Sequence, residues 1–201
     1  MTTVKQRKLA RKIPEYLVKE VLDGIPIYYK GYKAILRKEK TLEFITVSSG
    51  LQLFILQYFS RLLISQLVEN QYFVFVGKPG LHIDLNNNFS SDLLVYEENK
   101  LSVSKIDTHY LDIPPKIDIE IDFNIDTTDF TEQNYIYRKT DRLLSWGVEK
   151  VIWVLSESKK VIVAEQGKDW LLIDWSKDIE IIDGVKFNVS QYLEKSGVTL
   201  R

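Results

Sequence analysis

The sequence predicts an α/β fold built on a mixed central sheet, and three observations carry that expectation. Residues 117–123 alternate strictly, with Ile117, Ile119, Ile121 and Phe123 separated by acids, which is the period of a strand. A helical pattern follows, bounded by Asp129 and Gly147, and residues 151–155 then form a continuous apolar run. Strand, helix and strand in that order make a βαβ unit with a right-handed crossover. An uninterrupted apolar strand belongs at the centre of a sheet covered on both faces.

The other elements follow in chain order. Residues 17–22 and 25–29 read as two strands around a turn at Asp23-Gly24. Ser48-Ser49-Gly50 opens a long helix, in which Leu51, Phe54, Ile55, Tyr58, Phe59, Leu62 and Leu63 recur at three and four positions as far as Val68. Residues 72–76 are apolar, β-branched and aromatic, hence a strand, which Gly77-Lys78-Pro79-Gly80 ends. Residues 81–85 and 92–96 are two further short strands, and Pro114-Pro115 stops whatever precedes the alternating segment. Asp129 is expected at the N-cap of the connecting helix, with Glu132 three residues later in a capping-box spacing. Residues 160–164, 170–174 and 180–187 read as a closing antiparallel set, and 191–195 as a short terminal helix.

At 201 residues the chain fits one domain, read as a basic N-terminal segment (1–16), a core (17–165) and a C-terminal extension (166–201). A chain of this size buries roughly 70% of its unfolded surface and needs no covalent staples. It has no cysteine, which excludes disulfides, zinc-thiolate sites and thiol catalysis. The first twelve residues are polar and basic without the apolar region of a secretory signal, and no apolar run approaches the ~20 residues of a membrane span. A cytoplasmic protein with no membrane partner is therefore expected. The net charge of −1 hides an uneven distribution: residues 1–40 hold eleven Lys and Arg against four Asp and Glu. A basic start could grip phosphates while an acidic body holds metal, or it could be a solvated tail.

The alternating segment also carries the chemistry. Asp118, Glu120 and Asp122 fall on one face of the strand, about 7 Å apart. If that face were enclosed, neighbouring acids would repel by about 2 kcal/mol at an effective dielectric of 20. Either the face is wet and resists edge pairing, or a cation sits there. Asp92 begins a second strand, and an acid there could share a divalent ion with Glu120; Mg²⁺ takes oxygen ligands and keeps several waters. Lys139 lies about two turns into the connecting helix, roughly 10 Å along its axis, a height similar to that of Glu120 on the strand. Its ammonium could then position an attacking water and stabilise charge on a phosphate.

Ser91-Asp92-Leu93-Leu94-Val95, Pro115 followed five residues on by Glu120-Ile121, and Lys139 eight residues before Gly147-Val148, leading into Val151-Ile152-Trp153, together resemble the Uma-two family. That family belongs to the restriction-endonuclease-like PD-(D/E)XK superfamily. Glu20-Val21-Leu22-Asp23-Gly24 resembles the family's Glu-Leu-Ile-Asp-Gly, so the likeness spans most of residues 17–165. The resemblance implies a restriction-endonuclease-like fold. It implies Asp92 and Glu120 as metal ligands, helped by the Ile121 carbonyl, and Lys139 as the catalytic lysine, with Mg²⁺ or Mn²⁺ as cofactor. Four residues depart from the pattern or stand beside it: Ser91 replaces a proline, Asp118 and Asp122 replace aliphatics, and Gln52 follows Leu51 where many members have a His-Gln pair. Glu20, Gln52, Asp118 and Asp122 are auxiliary candidates.

Other residues carry less. His82 and His109 lack metal-ligand spacing, and Ser156-Glu157-Ser158 lacks a nucleophile elbow. Tyr28, Tyr29 and Tyr32, interleaved with Lys30 and Lys33, suit either base stacking or hairpin packing. The leading functional expectation is a metal-dependent endonuclease acting on DNA, with a homodimer as a candidate assembly. The alternatives are a catalytically silent nucleic-acid-binding module on the same fold and a protein-interaction module with a solvated acidic strand.

Overall fold

A computed structural model describes residues 13–68, 71–128 and 131–200. Asp23 and Gly24 both take positive φ, 52° and 75°, the conformation of a tight hairpin turn. They join Val18–Leu22 (β1) to Ile25–Tyr28 (β2). Two short helices, Tyr32–Leu36 (α1) and Leu42–Thr46 (α2), follow where no helix is predicted. Gly50–Gln66 (α3) starts where Ser48-Ser49-Gly50 places it, with the Ser49 side chain accepting from the Gln52 N–H. Next come Tyr72–Val76 (β3), Gly80–Asp84 (β4), Asn87–Ser90 (β5) and Leu93–Glu97 (β6). The βαβ unit is Ile117–Ile121 (β7), Glu132–Trp146 (α4) and Lys150–Leu155 (β8). The chain closes with Lys160–Glu165 (β9), Leu171–Asp174 (β10), Ile179–Ile182 (β11), Val185–Phe187 (β12) and Val189–Lys195 (α5).

The main sheet has the order β10-β9-β8-β7-β6-β3, with β7 and β8 parallel and every other neighbouring pair antiparallel. This is the mixed sheet that the sequence predicts. Strand β7 lies in its interior and is buried along its whole length, so the solvated-edge reading of the acidic strand is wrong. A four-stranded antiparallel sheet, β2-β1-β5-β4, and the β11-β12 hairpin are separate from it. Residues 180–187 therefore form their own hairpin instead of continuing the closing set.

Alternation along β7 divides the core. Ile117, Ile119 and Ile121 join Ile55, Phe59 and Leu63 of α3, together with Ile181, Phe187 and Leu193 from the C-terminal segment. The opposite face packs Trp153, Tyr135 and Leu143 with Leu22, Leu81 and Phe89 of the smaller sheet. Asp118 and Glu120 point into this second interlayer space. Asp122 does not share their face: it lies beyond the end of β7 at a φ of 58°, and this left-handed residue breaks the two-residue period. Its carboxylate accepts hydrogen bonds from the backbone N–H and the hydroxyl of Ser156.

Helix α4 begins two residues later than expected from a cap at Asp129. Its N-cap is Thr131, whose hydroxyl accepts from the Asn134 N–H; Asp129 itself lies outside the described residues. Gly147, at φ 121°, ends the helix by donating to the Leu144 carbonyl. Most of the basic N-terminal segment, residues 1–12, also lies outside the described residues.

Candidate functional site

Four elements converge on the acidic face of β7. Strand β6 runs antiparallel to β7 with Leu93 opposite Ile119 and Leu94 opposite Asp118, so one further step puts Asp92 opposite Glu120. Helix α4 lies over β8, where the Trp153 indole N–H donates to the Thr140 hydroxyl at 2.8 Å. That contact sets the rotation of the helix, and Lys139, the next residue back, turns toward β7. Its ammonium is fully buried and lies 2.6 Å from Glu120 Oε1, 3.1 Å from Glu20 Oε2 and 2.8 Å from the Ser90 carbonyl oxygen. Glu20, from β1 of the smaller sheet, also accepts from the Ser90 N–H and the Tyr135 hydroxyl.

The structure thus brings Asp92, Asp118, Glu120, Lys139 and Glu20 together. Gln52 joins them from the first turn of α3, its amide nitrogen donating to the Ile121 carbonyl at 2.7 Å. Asp92 accepts from the Ile121 N–H at 2.8 Å, so both polar groups of that peptide are engaged. Asp122 lines the same cleft from the far side of its turn.

Two residues that depart from the pattern the sequence resembles meet each other: the Ser91 hydroxyl donates to Asp118 Oδ2 at 2.7 Å.

Burial dominates the electrostatics. Asp118 and Glu120 are 0% and 3% exposed. Desolvation pushes the Asp118 carboxyl up to about 7, against the pull of Lys139 and the Ser91 hydrogen bond. It drives Glu120 well above the ordinary carboxylate range, again opposed by Lys139. Asp92 is raised for the same reason, with the Ile121 N–H opposing. Burial alone would lower Lys139, but the charges of Glu120, Glu20 and Asp118 outweigh it and raise its pKa. These directions agree: one ammonium faces an excess of carboxylates, so the lysine keeps its proton and the acids compete for more positive charge.

The orphaned atoms say the same. Asp118 Oδ1 and Glu120 Oε1 are buried without a well-directed hydrogen bond. The 2.6 Å approach of Lys139 to Glu120 is a charge contact with poor alignment. Oxygen donors with unmet negative charge suit a hard divalent cation, and Asp92 and Glu120 both line an open cleft of about 200 Å³. Among the described residues, no group of three or more His, Cys, Asp or Glu is arranged to hold a metal.

Lys19 escapes sequence reasoning, whereas Tyr29 is one of the tyrosines that suit base stacking or hairpin packing. Lys19 and Tyr29 line the cleft with Asp92 and Glu120, and the charge of Lys19 acts on both acids. The one local signal is that Lys19 precedes Glu20 in the stretch that resembles the family. Tyr28 and Tyr32 stack on each other with ring centroids 4.7 Å apart, and Tyr32 is buried, so this pair packs the hairpin. His82 contacts Asn88 at 2.6 Å and His109 pairs with Asp107 at the surface, both away from the site.

No protein-family model and no curated protein matches the chain. Among solved structures, it is similar to a candidate nuclease of the DUF820, or Uma-two, family from Anabaena variabilis, with a TM-score of 0.61 and 12% identity. The match covers 74% of this chain and 83% of that one. At this identity the likeness shows the fold: a mixed sheet flanked by helices, as in a restriction-endonuclease-like nuclease. No helix among the described residues is long and apolar enough to cross a membrane.

Proposed function

We propose that the protein is a metal-dependent endonuclease of the PD-(D/E)XK type that hydrolyses phosphodiester bonds in DNA. The observation that carries this reading is the meeting of Asp92, Glu120 and Lys139, from two adjacent strands and the crossover helix, with Asp92 and Glu120 lining one cleft and Lys139 buried against Glu120. The fold shared with a candidate nuclease supports it.

Asp92 and Glu120 would hold Mg²⁺ or Mn²⁺, which when bound supplies a Lewis acid for phosphate charge and an acidified water. The side chains do the rest. Lys139 holds Glu120 in place and opposes the loss of its charge, and Lys19, which faces the cleft, meets the phosphate. The neighbouring Asp92 and Asp118 load the pocket with negative charge that favours a cation over water. Incubating the full chain with supercoiled plasmid and Mg²⁺ or Mn²⁺, between about pH 6 and 9, should give nicked circles, and Glu120→Gln should abolish them. Intact plasmid under all these conditions would count against the nuclease reading.

One observation favours a silent binding module on the same fold instead. The Lys139 ammonium is fully buried, donates to Glu20 and the Ser90 carbonyl and faces Glu120 as a charge contact, so it does not open onto the cleft where a substrate would lie. That reading predicts DNA retention without cleavage in the same assay.

A further inference from the structure

The oxygens that would receive a cation already have an occupant of the right polarity. The Gln52 amide nitrogen donates to the Ile121 carbonyl at 2.7 Å, and the same side chain hydrogen-bonds the Asp92 carboxylate. Both partners are pure acceptors, which fixes the amide with its NH₂ group inward. Position adds to the case. Gln52 stands three residues after the N-cap Ser49, the spacing at which a glutamine side chain usually returns to the cap's own N–H. Here it instead reaches across to a residue 69 positions away in the sequence. A neutral NH₂ group offers two oxygens a fraction of the positive charge that a divalent ion would bring.

We propose that the Gln52 amide holds the metal seat closed in the metal-free protein, so that a divalent cation binds only by displacing it. This rests on the two-carboxylate site proposed above. It makes Gln52 a positioning residue that sets metal affinity, and it explains how Asp92 and the Ile121 carbonyl remain satisfied before metal arrives. A side chain of the same length without the amide removes the competitor. A carboxylate at that position turns a competing donor into an additional oxygen ligand.

The test is calorimetric titration of Mn²⁺ into the full chain as wild type, Gln52→Met, Gln52→Glu and Glu120→Gln, with circular dichroism to establish that each is folded. Gln52→Met should bind Mn²⁺ roughly fivefold to tenfold more tightly than wild type, the equivalent of about one lost hydrogen-bond competitor. Gln52→Glu should gain at least as much, and it carries the test alone if Gln52→Met does not fold. In isotope-labelled wild-type protein, the Gln52 side-chain amide resonance should move when Mg²⁺ is added. Wild-type binding with unchanged or weaker affinity in Gln52→Met or Gln52→Glu overturns the proposal for Gln52 and leaves the Asp92–Glu120 site standing. Absence of binding in wild type and in both Gln52 variants removes the metal site itself, and this proposal with it.

Discussion

Replacing Lys139 with methionine keeps the length of the side chain and deletes its charge. In the native protein that ammonium lies within 3.1 Å of acceptors on Glu120, Glu20 and Ser90, with both carboxylates buried. Removing one partner of a buried ion pair costs about 3–5 kcal/mol, because the remaining charge is left without compensation. Total stability is only about 5–15 kcal/mol, so the variant should sit near the threshold of folding at neutral pH. Acid offers an escape. Burial already raises the Glu120 carboxyl and Lys139 opposes that rise, so deleting the lysine raises it further. A group whose folded pKa exceeds its unfolded value binds more protons in the folded state between the two values, so stability falls as pH rises through that window. In Lys139→Met the window extends to higher pH, and the penalty relative to wild type should be larger at about pH 8 than at about pH 5. Urea unfolding of both proteins at the two pH values measures it. A loss under about 1 kcal/mol at pH 8, or a loss that does not shrink on acidification, would refute the claim that this lysine neutralises buried carboxylates.

Two other substitutions follow from the same geometry. Asp118, pushed up to about 7 by burial, is about 3.9 when unfolded, so its contribution makes wild type lose stability as pH rises from about 4 to 7. Asp118→Asn should remove that component, leave the protein at least as stable as wild type at about pH 8, and be followed by urea midpoints across the range; parallel pH profiles would contradict it. Asp122→Ala loses both hydrogen bonds to Ser156 and places a β-carbon without a local partner at positive φ. It should lower stability by about 2 kcal/mol, read as a drop in melting temperature, and a change near zero would show that the turn is not held by that carboxylate.

The parts of this molecule that were legible in the sequence are those governed by a local period. Alternation along residues 117–121, the apolar run of β8 and the helical face of α4 each depend on neighbours a few positions apart, and each element appears where its pattern lies. The pattern failed at Asp122, because one positive φ turns the chain and no composition signal marks it. It is silent at β5, Asn87-Asn88-Phe89-Ser90, for which no strand is expected from the sequence. That segment is a strand because β1 and β4 flank it and the Asn87 carbonyl oxygen of the side chain caps the Asp23 N–H, a contact 64 residues long. The pairing of Asp92 with Glu120 could be anticipated from two strand-borne acids, and the reach of Lys139 from helix and strand rise. Lys19 and Glu20 arrive on β1 and Gln52 on α3, and only the packing of the smaller sheet and α3 against β7 brings Lys19 and Gln52 to the cleft and Glu20 to Lys139.

The account turns on whether Asp92 and Glu120 bind one divalent ion. Crystals of the full chain soaked in Mn²⁺ answer this through anomalous scattering at the manganese edge. The expected result is a single peak about 2.1 Å from an oxygen of each carboxylate, absent in Glu120→Gln. Manganese bound elsewhere, with the two carboxylates unchanged, would contradict it.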